Sequence, residues 1–381
     1  MPRTLAAAAW SSGATAVARA VEGATADLSG ASVRLVLFFA EATSAPEDAL
    51  AEATAAARGA PVAGMTANGL ITRDGFQHGG CSAIAFGDEV DVGVGVAAGV
   101  SADSFGAGRR AALDAVSHLS NQVDDAVLLL LLDPMHGDEG EVIDGAYDAV
   151  GGRVPIAGGG ANGALPALFA SGAAHADAVV AIALSSTEPI GIGISHGCRP
   201  LAAPVIVTRT DGRTIRELDG RPAETVYLER LGVAGRELDD RRFESLAALH
   251  PLAQPALRGD LRLRHVRGRA DAGGLACAAR IPANAVVWLT EQSEERIIES
   301  AREAVAEATG GAGGAPRTAL VFDCAARKRA LGERVDEEAR ALVGAFAEPP
   351  AVAGLYTRGE AGRTRGAKGD RNHAVVVVAF A

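Results

Sequence analysis

Three nine-residue stretches decide the fold: PVAGMTANG at 61–69, PIAGGGANG at 155–163 and AVAGLYTRG at 351–359. Each runs an apolar pair, Ala-Gly, three variable residues, a polar residue and Gly, anchored on Gly64, Gly158 and Gly354. Self-similarity of this kind predicts an internally repeated architecture. An apolar run precedes each stretch, at 33–39, 126–132 and 318–322, and another follows it, at 82–86, 178–184 and 374–380. Helical spacing fills the intervals at 46–57, 139–150 and 333–346, and again before the first strands at 14–26, 105–119 and 294–308. The expected unit is helix, strand, helix, strand, strand, repeated three times in an α/β fold with mainly parallel or mixed sheets. A buried strand, a helix and a second buried strand imply a right-handed crossover and a parallel pair. Loops at the C-terminal ends of such strands form the usual ligand crevice.

The third copy is set apart by an insertion, about 199–281. It contains VIVTRTDGRTIRELDG (205–220), a hairpin pattern around Asp211-Gly212. A helix with Pro222 near its first turn follows to 231. Residues 239–242 read as a linker and 261–281 as further strands. The expected organisation is an N-terminal domain, 1–198, with two units, and a C-terminal domain, 199–381, with the inserted antiparallel β region and the third unit.

At 381 residues and 48% hydrophobic content the chain can bury a full core. A net charge of −11 argues against a nucleic-acid partner, which calls for concentrated positive charge. The Arg-rich strip 258–269 reads as solvated strand faces. Cys81, Cys198, Cys277 and Cys324 form neither a CxxC nor a zinc-type Cys/His spacing, and a disulfide framework does not suit this size. The apolar runs fall far short of the roughly 20 residues of a membrane helix. The opening segment, with Arg19 and Glu22 at helical spacing, reads as an amphipathic helix rather than a signal peptide. Cytoplasmic residence follows by elimination.

TDGRTIRELDGRPAETVY (210–227) resembles the opening of the FIST C-terminal domain. LVFDCAARKRALG (320–332), VAGLYTRGE (352–360) and RNHAVVVV (371–378) resemble its end, and the first two nine-residue stretches resemble the FIST N-terminal domain. The resemblance covers nearly the whole chain and is most specific at LDGRPA and YTRGE. It implies a sensory module for small ligands, amino acids among those proposed, that occurs alone or fused to signalling outputs. With no room here for a fused output a separate partner protein is expected, and with no strong catalytic triad or metal cluster no catalytic activity is. For some members it also implies haem-dependent nitric-oxide sensing. The first stretch departs from the family pattern: Met65 and Leu70 stand where a Cys and a Glu are common.

The third copy is richest in candidate ligand-binding residues. Arg327 is suited to grip a carboxylate, Glu360 to hold an ammonium group and Tyr356 to supply a flat wall, a set matched to an amino-acid-like zwitterion. The competing arrangement pairs Arg327 with Glu360. Thr357, Asn372 and His373 lie on the same loops. Cys324, beside Arg327, offers an enzyme alternative, a hydrolase with a Cys/His couple through His373; otherwise it packs as a small hydrophobe. In the second copy, His136 is a candidate for a ligand or a metal, and Asp138 caps the following helix. Gly159, Gly160 and Asn162 offer backbone N–H groups as an anion nest, or simply a tight turn. His78, His136, His175, His196 and His373 lie near loops where an axial haem ligand would sit. Aromatic content is only 4% and no CxxCH occurs, so no cofactor is expected. Ligand, partner and oligomeric state stay open.

Overall fold

The computed structural model describes residues 6–28, 31–41, 45–120, 126–256, 260–364, 366 and 368–381. The chain is mixed α/β. Ala126–Leu132, with its unbroken Leu run, shows why. Val127, Leu129 and Leu131 point into a central core, while Leu128, Leu130 and Leu132 point outward onto the helices Ser104–Ser117 and Glu139–Val150. A strand covered on both faces needs apolar residues at every position, not at alternate ones. Leu35–Ala40 and Thr318–Cys324 follow the same rule, and the inward faces of all three strands meet in one core.

Each of these three strands is one of the two central strands of a six-stranded sheet, and the sheets have corresponding orders. Each pairs in parallel with the strand carrying the Ala-Gly motif: Val62–Thr66, Ile156–Gly160 and Ala351–Thr357. On the other side each pairs antiparallel with Cys81–Phe86, Ala178–Ser186 or Val375–Phe380. The motif glycines are dictated by this pairing. A Cβ on Gly64 would come within 2.1 Å of the Phe38 carbonyl oxygen, and one on Gly158 within 2.0 Å of that of Leu130.

Beyond the motif strands the sheets exchange hairpins. Leu70–Thr72 and Gly75–Gln77, which follow the first motif, extend the third sheet through Ala351–Thr357. Leu168–Ala170 and Ala173–His175 extend the first sheet. Glu360–Arg363 and Asp370–Arg371 extend the second. Every motif loop is therefore followed by a strand that locks onto a different sheet. The five-element unit expected from sequence omits these hairpins and the edge strands Ala6–Ser11, Val90–Ala98 and Ile190–Ser195. Strands of two to four residues leave little periodicity to read.

The insertion forms a nine-stranded antiparallel sheet with the helices Ala223–Arg230 and Asp240–Leu249 and a core of its own. Two expectations are corrected here. Residues 239–242 are not a linker: Asp239 accepts from the Arg242 N–H at 2.8 Å and caps a helix. The Arg-rich strip is not uniformly solvated, because Arg264 is fully buried against Asp370 at 2.6 Å; Arg258 lies outside the described residues. No helix among the described residues is long and apolar enough to cross a membrane.

Candidate functional site

The three motif loops converge on one cleft of ≈ 690 Å³. Asn68, Asn162 and Arg358 occupy the same motif position, the polar residue before the last Gly, and all three line it. Phe76, His78, Pro134 and Met135 add walls from the first two repeat segments of the chain, and His265, Arg267 and Ala278 close it from the insertion. The helix Ala325–Leu331 supplies Lys328 and Arg329. A larger depression of ≈ 880 Å³, around Pro316, Pro349 and Pro350, gathers no polar motif residue.

Each cation of the cleft has a defined setting. Lys328 Nζ donates to the Asn68 carbonyl at 3.0 Å and approaches its Oδ1 at 3.3 Å. It also lies 5.1 Å from the Phe76 ring centre and 5.7 Å from that of Tyr356, within cation–π range. Burial lowers its pKa, with the Glu41 carboxylate opposing. Arg358 Nε donates to Asn162 Oδ1 at 3.1 Å, and its Nη1 faces only the Met135 thioether at 3.6 Å. Arg267 is lowered first by burial, and the Arg213 and Arg358 charges act in the same direction against Glu139. Arg329 is held by Glu244 at 2.9 Å. Behind Gly359 the Glu139 carboxyl is pushed up to about 7, by burial before any charge.

His265 enters as the outer member of a relay. Gln292 Nε2 donates to the His196 carbonyl at 2.5 Å, which leaves its Oε1 to accept from His373 Nδ1 at 3.2 Å. His373 Nε2 then accepts from His265 Nδ1 at 2.9 Å, and His265 Nε2 keeps a free lone pair. Burial pushes His265 down to about 4 and His373 well below its usual range, so both stay neutral.

Beneath the cleft lies a sealed ionic layer. Arg327 is fully buried. Its Nε lies 2.8 Å from Asp323 Oδ1, and its Nη2 lies 2.6 Å from Glu338 Oε1 and 3.0 Å from the Ile297 carbonyl. Its Nη1 donates to Ser300 Oγ at 2.8 Å. With its donors committed to protein groups, Arg327 has none to offer a ligand, and it pairs with Asp323 and Glu338 rather than Glu360. Burial and Asp323 raise Glu338 to about 8, so that it holds a proton near neutrality. Two carboxyls and one guanidinium then carry no net charge, which is how such a cluster survives burial. Tyr356 is buried with its hydroxyl 3.2 Å from Glu338. Glu360 is buried 3.0 Å from Thr357 Oγ1, and burial raises it well above the carboxylate range.

Of the residues expected at a site, Cys324, Thr357, Asn372 and Asn162 line the cleft, while Arg327, Tyr356, Glu360 and His373 lie in the layer beneath. Burial, then Glu360, raises the Cys324 thiol well above its ordinary range, the reverse of an activated nucleophile. His136 is turned away, its Nδ1 2.8 Å from Asp133. Gly159 and Gly160 are not an anion nest. They lie in Ile156–Gly160, paired with Glu360–Arg363, and the Gly160 N–H donates to the Gly359 carbonyl at 2.9 Å. Of the other histidines, His175 contacts the Ala170 carbonyl and His196 faces Asp260; His78 lines the cleft with its ring against Phe76. Sequence reasoning missed Asn68, Lys328, His265 and Arg267. The position that picked out Asn162 also holds Asn68 and Arg358, so the repeat itself carried that signal. Helical spacing in 325–331 would have sent Arg327 and Leu331 inward and Lys328 outward.

Fold and cleft together define an α/β protein with a composite cleft built from three loops. The chain belongs to the FIST family: the FIST N domain matches residues 34–221 and the FIST C domain residues 223–363. FIST domains are associated with sensing in signal transduction. Similar curated proteins are uncharacterized. They include Rv0628c of Mycobacterium tuberculosis, 29% identical over 196 residues, covering 49% of this chain and 50% of the relative. Another is Mb0898c of Mycobacterium bovis, 30% identical over 200 residues, covering 49% of each. The chain thus spans about half the length of these relatives. Among solved structures, a cyanuric acid hydrolase from A. caulinodans aligns over 99% of both chains at 10% identity and a TM-score of 0.37, too slight a likeness to bear on activity.

Proposed function

We propose that the chain is a cytoplasmic sensor that binds a small molecule in the cleft at the junction of its three sheets and signals through a separate partner protein. One observation carries this reading: the three motif loops, far apart in sequence, place Asn68, Asn162 and Arg358 around a single cleft. A ligand there touches all three sheets and favours the arrangement in which they close on it, a population shift. The raised Cys324 thiol supports binding over covalent catalysis.

The test is a thermal-shift screen of the full chain against amino acids and small organic acids, repeated on Ala278→Phe, which fills the cleft. A ligand at one hundred times its dissociation constant adds about 2.7 kcal/mol of stability. Stabilisation of the native chain alone supports the reading. If no compound stabilises, or the filled variant responds equally, the reading is wrong.

A further inference from the structure

We propose that the ligand of this cleft is a small organic dianion, with one acidic group seated by Lys328 and the other by Arg358, rather than an amino-acid zwitterion. This rests on the cleft being the ligand site. Among the described residues the lining contains four cationic side chains and no carboxylate, in a chain of net charge −11. An ammonium group would therefore find no counter-charge on the walls. Glu360, the residue suited by sequence to hold it, is buried beside Thr357 with its Oε2 accepting from the Ala374 N–H at 3.3 Å.

The two cations form separate stations. Lys328 leans on Asn68 of the first motif, and Arg358 on Asn162 of the second. Neither makes an ion pair within 4.0 Å among the described residues. A guanidinium whose partners among the described residues are an amide oxygen and a thioether retains donors for a carboxylate. Arg267 lies close enough to feel the Arg358 charge, although Glu139 acts on it more strongly in the opposite direction. The nearby acids stand outside the lining. Glu139 lies behind Gly359 and is raised by burial, Glu244 is taken by Arg329, and Glu41 accepts from the Gly69 N–H at 2.8 Å and from the Gly79 N–H. Phe76 and Met135 leave an apolar stretch suited to a short hydrocarbon spacer. A volume of ≈ 690 Å³ falls in the range of small-molecule sites.

The experiment is calorimetric titration of the full chain with malonate, succinate, glutarate and phthalate, against butyrate, leucine and glutamine. The expected result is that at least one dicarboxylate binds tenfold or more tightly than every monoanion and zwitterion, and that binding weakens as salt is raised. Lys328→Gln and Arg358→Gln should each weaken it at least tenfold with the melting temperature retained, while Lys328→Arg keeps it within about threefold. Equal or tighter binding of leucine or glutamine, lost in Ala278→Phe, overturns the dianion and leaves the sensor reading standing. Unchanged dicarboxylate affinity in both charge-removing variants overturns the dianion as well. If no compound binds the native chain, both readings fall.

Discussion

The first residue past the central strand's antiparallel pairing in each sheet is Glu41, Asp133 or Cys324, and the three make an instructive comparison. Glu41 accepts from the N–H groups of Gly69 and Gly79. Asp133 accepts from those of Met135, at 2.8 Å, and Asp177, at 2.6 Å. Burial raises the Cys324 thiol, with the backbone of Ala326 and His373 acting in the opposite direction. Gly79, Asp177 and His373 stand at one register position, two residues before the partner of the central strand's last paired residue. All three have positive φ, at 74°, 49° and 55°. The backbone cradle is thus the same, and in two sheets a carboxylate fills it. The third sheet has a thiol there, and its carboxyls, Asp323, Glu338 and Glu360, are sunk below with Arg327. What differs is the depth of the negative charge. In the third sheet it is buried and partly protonated, and the surface above it is left to cations.

The comparison can be broken in several ways. The largest effect is expected from Gly158→Ala, because φ is +137° and the new Cβ meets the Leu130 carbonyl. Urea unfolding should show a loss of about 3 kcal/mol or more. If the variant is as stable as the native chain, the shared strand geometry does not require glycine. Next, Asp133→Ala should cost about 2 kcal/mol, since it strands two backbone donors and His136, whereas Cys324→Ala should cost about half as much. Equal losses would mean that the cradle does not distinguish carboxylate from thiol.

Glu338→Gln tests the buried proton. A carboxyl raised from 4.5 to about 8 binds more protons folded than unfolded between those values, so native stability falls as pH rises through that window. The variant should lack this fall, and its stability relative to the native chain should rise from pH 5 to pH 8. A pH-independent difference would place no proton on Glu338. The smallest effect is expected from Arg329→Gln, whose exposed pair with Glu244 contributes under about 0.5 kcal/mol by thermal unfolding.

Much of the fold was legible because it rests on strong local signals. The leucine run at 126–132 fitted a strand buried on both faces, and the Ala-Gly motifs marked the parallel partners. The exchanged hairpins were not legible, because three residues such as Leu70–Thr72 carry no period and their partner lies in another sheet. At the site, residue types pointed to the right loops and the wrong depth. Arg327 and Lys328 are adjacent in sequence, yet one is sealed among carboxyls and the other faces the cleft. Charge alone does not separate them; the helical phase of 325–331 does. His265 was invisible because its place depends on the insertion folding over the three loops.

Hydrogen exchange tests the central claim most directly. Adding glutarate at saturating concentration to the full chain should slow exchange together at 66–69, 160–163 and 355–359, because one ligand touches all three loops. Protection confined to a single loop, or absent from all three, would contradict a composite site.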